Sequence, residues 1–287
     1  MVKTYYFINP YTDFGFKKIF GEEINKDILI DFLNTLLDLK DEKCIKNIQY
    51  LKNEHLGKYE TDRKAIVDIY CETENNEKFI VEMQKARQQF FKDRTLFYAS
   101  FLIQQQAKKD NKKKKFVWDY ELKGVYSVAL MDFSFGNSDK IQHDIMLKDV
   151  NDNSIFYEKL RFIYVEMPNF NKKIEELENH YEKWLYLLKN LSNLAEIPQS
   201  FKEEIFMKVF DTANEAKLTS QDRLAYQKSL QDYRDLHNSL KTSFQDGKIE
   251  EKKQVTINAI KEGCTNEFIS KITSLTIKQI EQIRKEI

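Results

Sequence analysis

Three residues in the stretch AIVDIYCETENNEKFIVEMQ, positions 65 to 84, carry side chains of the right type and spacing for chemistry: Asp68, Glu82 and Gln84. They lie in two short apolar runs that flank the polar segment TENNEK, which has the composition of a hairpin loop. Alternate side chains of a strand share a face. Ile66, Asp68 and Tyr70 therefore lie on one side of the first run, and Ile80, Glu82 and Gln84 on one side of the second. Register decides whether the acids meet. If paired positions sum to 150, Asp68 lies opposite Glu82 and the loop is odd in length, around Glu74 to Asn76. A slip of one residue sends the acids to opposite faces.

Directly opposed Cβ atoms are about 4.5–5.5 Å apart. Two carboxylates that close repel unless one takes a proton or a cation sits between them. A hard divalent cation, Mg²⁺ or Mn²⁺, resolves the repulsion, completing its shell with waters and a substrate phosphate. The Gln84 amide can orient a water or a phosphate oxygen, but it is neither a base nor a positive charge. The nucleophile of such a site is hydroxide drawn from a metal-bound water. The same spacing also fits an Asp and a Glu that only face solvent, so the elements around them carry the argument.

Residues 22 to 39 have helical period, with Ile24, Ile28, Phe32 and Leu36 recurring every fourth position. A strand is expected within 45 to 56, then the hairpin, then a helix over 85 to 109 with Phe90, Phe97, Phe101 and Leu102 on its apolar side. Strands follow at 123 to 135 and 159 to 167, the latter ended by Pro168. Residues 172 to 192, 199 to 214 and 219 to 262 are helical in period. The order predicts an α/β or α+β core followed by an α-helical subdomain. The expected division is 1–170 for the sheet domain, 171–247 for a helical subdomain and 248–287 for a helical tail.

Bulk properties agree. Hydrophobic residues make up 41% of the 287, enough for a real core, and 3 Pro and 7 Gly suit long helices. Lys+Arg and Asp+Glu both total 46, so only local patches can attract nucleic acid. No apolar run reaches the ~18 residues of a membrane span. The N-terminal stretch lacks the core of a signal peptide, and Cys44, Cys71 and Cys264 form no CxxC, which fits the cytoplasm.

Together YTDFGFKKIFG, KDILIDFLNTLL, DRKAIVDIYCETENNEKFIVEMQ, FFKDRTLFYAS and DYELKGVYSVALMDFSF resemble a known family, as do the later FIYVEMPNFNKK, KWLYLLKN and IKEGCTNEFISKITSLTIKQIEQI. It is the recombination-promoting nuclease or putative transposase family of the PD-(D/E)XK nuclease superfamily. The likeness spans nearly the whole chain. It implies a PD-(D/E)XK restriction-endonuclease-like mixed sheet and metal-dependent cleavage of DNA phosphodiesters. Asp68 matches the first acid of the motif, Glu82 the acid of E-x-K, and Gln84 stands where most of the superfamily has Lys. The backbone carbonyl of Met83 is the expected third metal ligand. Val67 replaces the usual Pro, and Lys85 falls on the opposite face by alternation.

Secondary candidates follow. Asp13 reads as the cap of a helix beginning at Phe14; alternatively Asp13, Glu22 or Glu23 completes the site as a further acid, with Lys17 as an accessory beside Asp13. Arg87, Arg94 and Tyr98 are spaced along one face of the helix after the acidic strand, for phosphates or for solvent. Lys112, Lys113, Lys114 and Lys115 form either a DNA-tracking patch or a solvated loop. In the tail Gly263 reads as a helix stop and Thr276 with Gln279 as a capping box. That spacing predicts a helix-turn-helix-like shape, with Lys278, Gln282, Arg284 and Lys285 toward DNA, or else a small packing module.

The leading expectation is a Mg²⁺-dependent DNA endonuclease, as a monomer or a homodimer, linked to recombination or a mobile element. A non-catalytic DNA-binding or scaffold protein of a mobile element or defence system is the alternative. A DDE-type transposase would need a further distant acid, for which only Asp132 stands out.

Overall fold

The computed structural model describes residues 6–51, 67–107, 120–136 and 138–287. The chain forms two compact units, Met1–Leu230 and Gln231–Ile287. Lys112 to Lys115, the end of the strand expected at 45 to 56, and Ile66 lie outside the described residues.

The first unit opens with α1 (Asp13–Phe20). The cap is Thr12, whose Oγ1 accepts from Gly15 N at 2.9 Å and donates to Asn9 O at 2.7 Å. The expectation that Asp13 caps the helix is therefore corrected. The hydroxyl one residue earlier satisfies the orphan N–H. This leaves the Asp13 carboxylate to pair with Lys17 at 2.8 Å. A β-carbon on Gly15 would lie 2.1 Å from Asn9 O, so this turn admits only glycine. A 3-10 turn (Glu23–Asn25) then leads into α2 (Lys26–Leu36), which buries Ile28, Leu29, Phe32, Leu33 and Leu36.

Six strands form one sheet: β1 (Ile48–Tyr50), β2 (Ile69–Thr73), β3 (Lys78–Gln84), β4 (Val125–Met131), β5 (Gln142–Lys148) and β6 (Ile155–Glu166). Their order is β1-β2-β3-β4-β6-β5. The pairs β3–β4 and β4–β6 are parallel; β1–β2, β2–β3 and β5–β6 are antiparallel. β3 is central, and residues 79–84 are all buried. That is why it reads as a nearly unbroken apolar run, in which a carboxylate is conspicuous.

Between β3 and β4 the chain crosses over through α3 (Phe91–Gln106). Its buried stripe is Phe91, Thr95, Ala99 and Leu102, the three-to-four spacing of one helical face. It packs on Tyr70, Ile80, Ala129, Met131, Phe162 and Tyr164. The helix expected from residue 85 starts later, because 85–90 carry the chain from the sheet edge to the helix layer. Arg87 falls in that connection, not on a helical face, and is exposed.

The opposite sheet face carries buried Phe79, Val81, Val128, Leu130, Ile163 and Val165. A second helical layer joins α1 and α2 to α4 (His180–Asn190) and α5 (Glu204–Ala213). At its centre Trp184 is fully buried, with ring centroids 5.9 Å from Phe20, 5.4 Å from Phe32 and 5.2 Å from Phe206. Tyr50 Oη donates to Phe20 O at 2.5 Å and Gln142 Nε2 to Leu36 O at 3.1 Å, tying β1 and β5 to this layer. The long helix α6 (Ser220–Lys261) begins in this unit. There its Tyr226 Oη accepts from Asn9 N and its Ser229 Oγ from Phe14 N, both at 3.0 Å.

In the second unit Gly263, at φ +77°, ends α6 as expected. Then come α7 (Asn266–Thr273) and α8 (Ile277–Glu286). The predicted capping box is formed: Gln279 N donates to Thr276 Oγ1 at 3.3 Å, and Thr276 N donates to Gln279 Oε1 at 2.9 Å. No helix of the described residues is long and apolar enough to cross a membrane.

Candidate active site

The β2–β3 hairpin pairs Ile69 with Val81, Tyr70 with Ile80 and Cys71 with Phe79. Thr73 N donates to Glu77 O at 2.9 Å, leaving a three-residue loop, 74–76. Asn76 sits at φ 62°, the left-handed position that closes such a loop. This is the even register that sets Asp68 level with Glu82. One detail differs from the sequence expectation: β2 begins at Ile69, so Asp68 occupies the bend just before the strand.

The bend has a use. Gln84 O accepts from Asp132 N at 2.8 Å, so the polar backbone of Gln84 faces β4. The N–H and C=O of Met83, one residue earlier, therefore face the other way, toward the segment just before β2 begins. There Met83 N donates to Asp68 Oδ2 at 2.9 Å. The carboxylate takes the place of a missing strand carbonyl, and the Met83 carbonyl is aimed to the same side as Asp68.

Glu82 and Gln84 lie on the face that α3 covers, only 4% and 8% exposed. Gln84 Nε2 donates to Glu82 Oε2 at 2.9 Å. Gln84 Oε1 in turn accepts from the Arg94 guanidinium. Arg94 extends from α3 with its charge 5.8 Å from the ring centres of both Phe91 and Tyr98. Tyr98 follows Arg94 by one helical turn, so these two of the three sequence-chosen helix candidates do stand beside the acids.

Electrostatics match the geometry. Burial pushes the Glu82 carboxyl up to about 7; Arg94 opposes that, the Asp68 charge adds to it, and the Gln84 amide opposes it. Burial also raises Asp68, against the Met83 N–H and Lys17, while Asp13 pushes it further up. The charges of Asp13 and Lys17 on α1 thus act on the first acid.

Sequence reasoning passed over Glu166. It ends β6 level with Met131 on β4 and Gln84 on β3, and is 1% exposed. Its carboxylate accepts from Ser134 Oγ, from Phe135 N and Asn169 Nδ2, both at 3.1 Å, and meets His143 Nε2 at 2.8 Å. The available signal was the repeated Val-Glu-Met of IVEMQ and YVEMP. Thr95 was missed too; its Oγ1 lies 2.6 Å from Tyr164 Oη, whose ring feels the Glu82 charge.

The model of the PD-(D/E)XK nuclease family transposases matches residues 10–243. The chain belongs to this family. Both acids, Gln84 and Arg94 lie inside the matched stretch, and the mixed six-stranded sheet flanked by helices is consistent with the fold of these nucleases. Membership supports a nuclease-type enzyme with DNA as substrate, and such nucleases generally use divalent metals. It also removes the DDE reading that leaned on Asp132. No curated protein and no solved structure matches the chain.

Among the described residues no cluster of three or more His, Cys, Asp or Glu forms a metal cage. The donor set nevertheless fits a hard cation that keeps its waters. Mg²⁺ is ordinarily held by one or two carboxylates with water and phosphate oxygens. Two carboxyl groups with raised proton affinity, on adjacent chain segments with the Met83 carbonyl on the Asp68 side, supply that arrangement.

Proposed function

We propose that the protein is a metal-dependent DNA endonuclease that hydrolyses phosphodiester bonds, with a role in recombination or a mobile element. The observation that carries this reading is the register that sets Asp68 level with Glu82 in a buried, proton-retaining pocket at the end of β3. Asp68, Glu82 and the Met83 carbonyl would hold Mg²⁺ or Mn²⁺. When bound, such an ion lowers the pKa of a coordinated water and neutralises charge on the phosphate.

The chain's own groups do the rest. Glu82 must release its proton for the site to load. The Met83 N–H fixes the Asp68 carboxylate, so the first acid is pre-oriented. Gln84, with its amide nitrogen on Glu82 and its oxygen on Arg94, holds the second acid in place. Asp13 and Lys17, paired on α1, tune the field at Asp68. In the tail, α7 and α8 present Lys278 and Lys285 as candidate DNA contacts, whereas Arg284 is spent on Cys264 O and Asn266 Oδ1.

A second reading, DNA binding without cleavage, is favoured by one observation: the motif position after Glu82 holds an uncharged amide, Gln84. Supercoiled-plasmid nicking separates the two. The nuclease reading expects nicked circles with Mg²⁺ or Mn²⁺, and none from Asp68→Ala. Binding without nicking in either metal selects the scaffold.

A further inference from the structure

We propose that Arg94 of α3 is the phosphate-binding cation of this site, taking the place that Gln84 on β3 leaves without charge. This rests on the nuclease reading above and deepens it.

Asp68 and Glu82, once ionised, carry two negative charges, and one divalent ion only cancels them. A phosphodiester is a further anion, and attack by hydroxide adds one more negative charge in the transition state. A positive side chain is therefore needed at the same place. Gln84 cannot provide it. Lys17 lies close enough to act on Asp68 but is paired with Asp13 at 2.8 Å. Lys85 lies just past the end of β3 and its charge acts on Asp68, whereas the cation that acts on Glu82 is Arg94.

Arg94 does meet the requirement. It sits one residue before Thr95 of the buried stripe, at the stripe's edge, where α3 passes the end of β3. Its guanidinium donates to Gln84 Oε1, and its charge acts directly on Glu82. A guanidinium has five N–H donors in a planar fork. Nε makes no hydrogen bond with the described residues. The faces of Phe91 and Tyr98 hold the group from the sides. An open cleft beside it is lined by Phe90, Asp93, Phe97 and Tyr98, so a polymer backbone can approach from solvent.

In the step itself a water oxygen forms the new bond to phosphorus while the bond from phosphorus to one deoxyribose oxygen breaks. The attacking water gives up one proton to solvent and the departing oxygen takes one from solvent, so one water is consumed for each bond cut. Arg94 donates to a non-bridging oxygen throughout, and most strongly when the charge on it peaks.

The test is single-turnover plasmid nicking with Mg²⁺ by the wild type, Arg94→Ala, Arg94→Lys and the double variant Arg94→Ala/Gln84→Lys. Affinity for a short duplex is measured in parallel in EDTA, and folding by circular dichroism. Loss of one such donor typically costs about 10²–10³ in rate. Arg94→Ala should fall by that factor while its duplex affinity changes only a few-fold. Arg94→Lys should retain more activity, and Gln84→Lys should restore at least about tenfold to Arg94→Ala by returning a cation to the same spot. Wild-type rates in Arg94→Ala overturn the inference. So does a folded Arg94→Ala that is slow but gains nothing from Gln84→Lys, since that marks Arg94 as only a structural partner of Gln84. Wild type that binds DNA but never nicks it fails the nuclease reading, and this inference falls with it.

Discussion

Met83 N donates to the Asp68 carboxylate at 2.9 Å, so the strand that carries the second acid also orients the first. Asp68 stands in a bend and takes its anchor from the backbone; Glu82 stands in a buried strand and takes its anchor from the Gln84 side chain. The hydrogen bond and the charge of Asp68 can be separated by substitution, and each has its own consequence.

Asp68→Asn keeps an acceptor for Met83 N–H and removes the charge. It is expected to fold with a near wild-type Tm and to lose metal-dependent nicking. Asp68→Ala removes the acceptor as well and should cost a further ~1–2 kcal/mol of stability, the ordinary penalty of an unpaired N–H. Urea melts of the two variants check this; equal stability would show that the bond to Met83 carries no weight.

The Glu82 carboxyl, pushed up to about 7 by burial, sets a pH dependence. Its folded value lies above its unfolded value, so protonation favours the folded state. In metal-free protein its contribution is fully present below the ordinary glutamate range and is lost as pH rises toward about 7, a decline on the order of 3 kcal/mol. Glu82→Gln should flatten that decline in melts between pH 5 and 8. Metal must displace the same proton, so the Mg²⁺ needed for half-maximal nicking should rise as pH falls below about 7. A metal requirement independent of pH would contradict the assignment.

His180 supplies a second pH effect of opposite origin. Its Nε2 faces Asp31 Oδ2 at 2.7 Å and its Nδ1 faces Glu203 Oε2 at 2.9 Å, and those hydrogen bonds raise its pKa. Both ring nitrogens can donate only in the imidazolium. Trp184 Nε1 also donates to Asp31, at 2.7 Å, and Lys183 pairs with Glu203. The clasp is intact below the usual imidazole value and is lost as pH rises through the raised one. His180→Gln should remove that part of the Tm-versus-pH profile on the alkaline side and leave the Glu82 part in place.

Gly15→Ala tests the entry to α1. The added carbon would meet Asn9 O at 2.1 Å, so the Asn9–Thr12 turn must open and release the cap. Losing a cap alone costs roughly 0.5–2 kcal/mol, and the clash adds to that. Hydrogen exchange at the α1 amides should rise well above wild type.

What could be read from the sequence and what could not divides along physical lines. The hairpin was legible from two apolar runs around a polar loop, but its register stayed conditional, because β3 is buried on both faces and alternation alone does not choose between the two pairings. The tail was legible because Gly263 and the Thr276–Gln279 box are local signals. β5 went unrecognised because it lies at an edge and is largely exposed, so it has no apolar alternation to display. Arg87 was assigned to a helix face on spacing alone, but the chain needs 85–90 to reach the helix layer. The role of Arg94 could not be separated from solvent exposure, because its contact with Gln84 joins residues on different elements. Glu166 was hidden for the same reason: its partners come from three separate segments.

Anomalous scattering from a crystal soaked in Mn²⁺ tests the central claim most directly. The account predicts a peak within bonding distance, roughly 2.0–2.6 Å, of a carboxylate oxygen from Asp68 and one from Glu82, with the Met83 carbonyl beside it. A peak elsewhere, or none at saturating Mn²⁺ above pH 7, would contradict it.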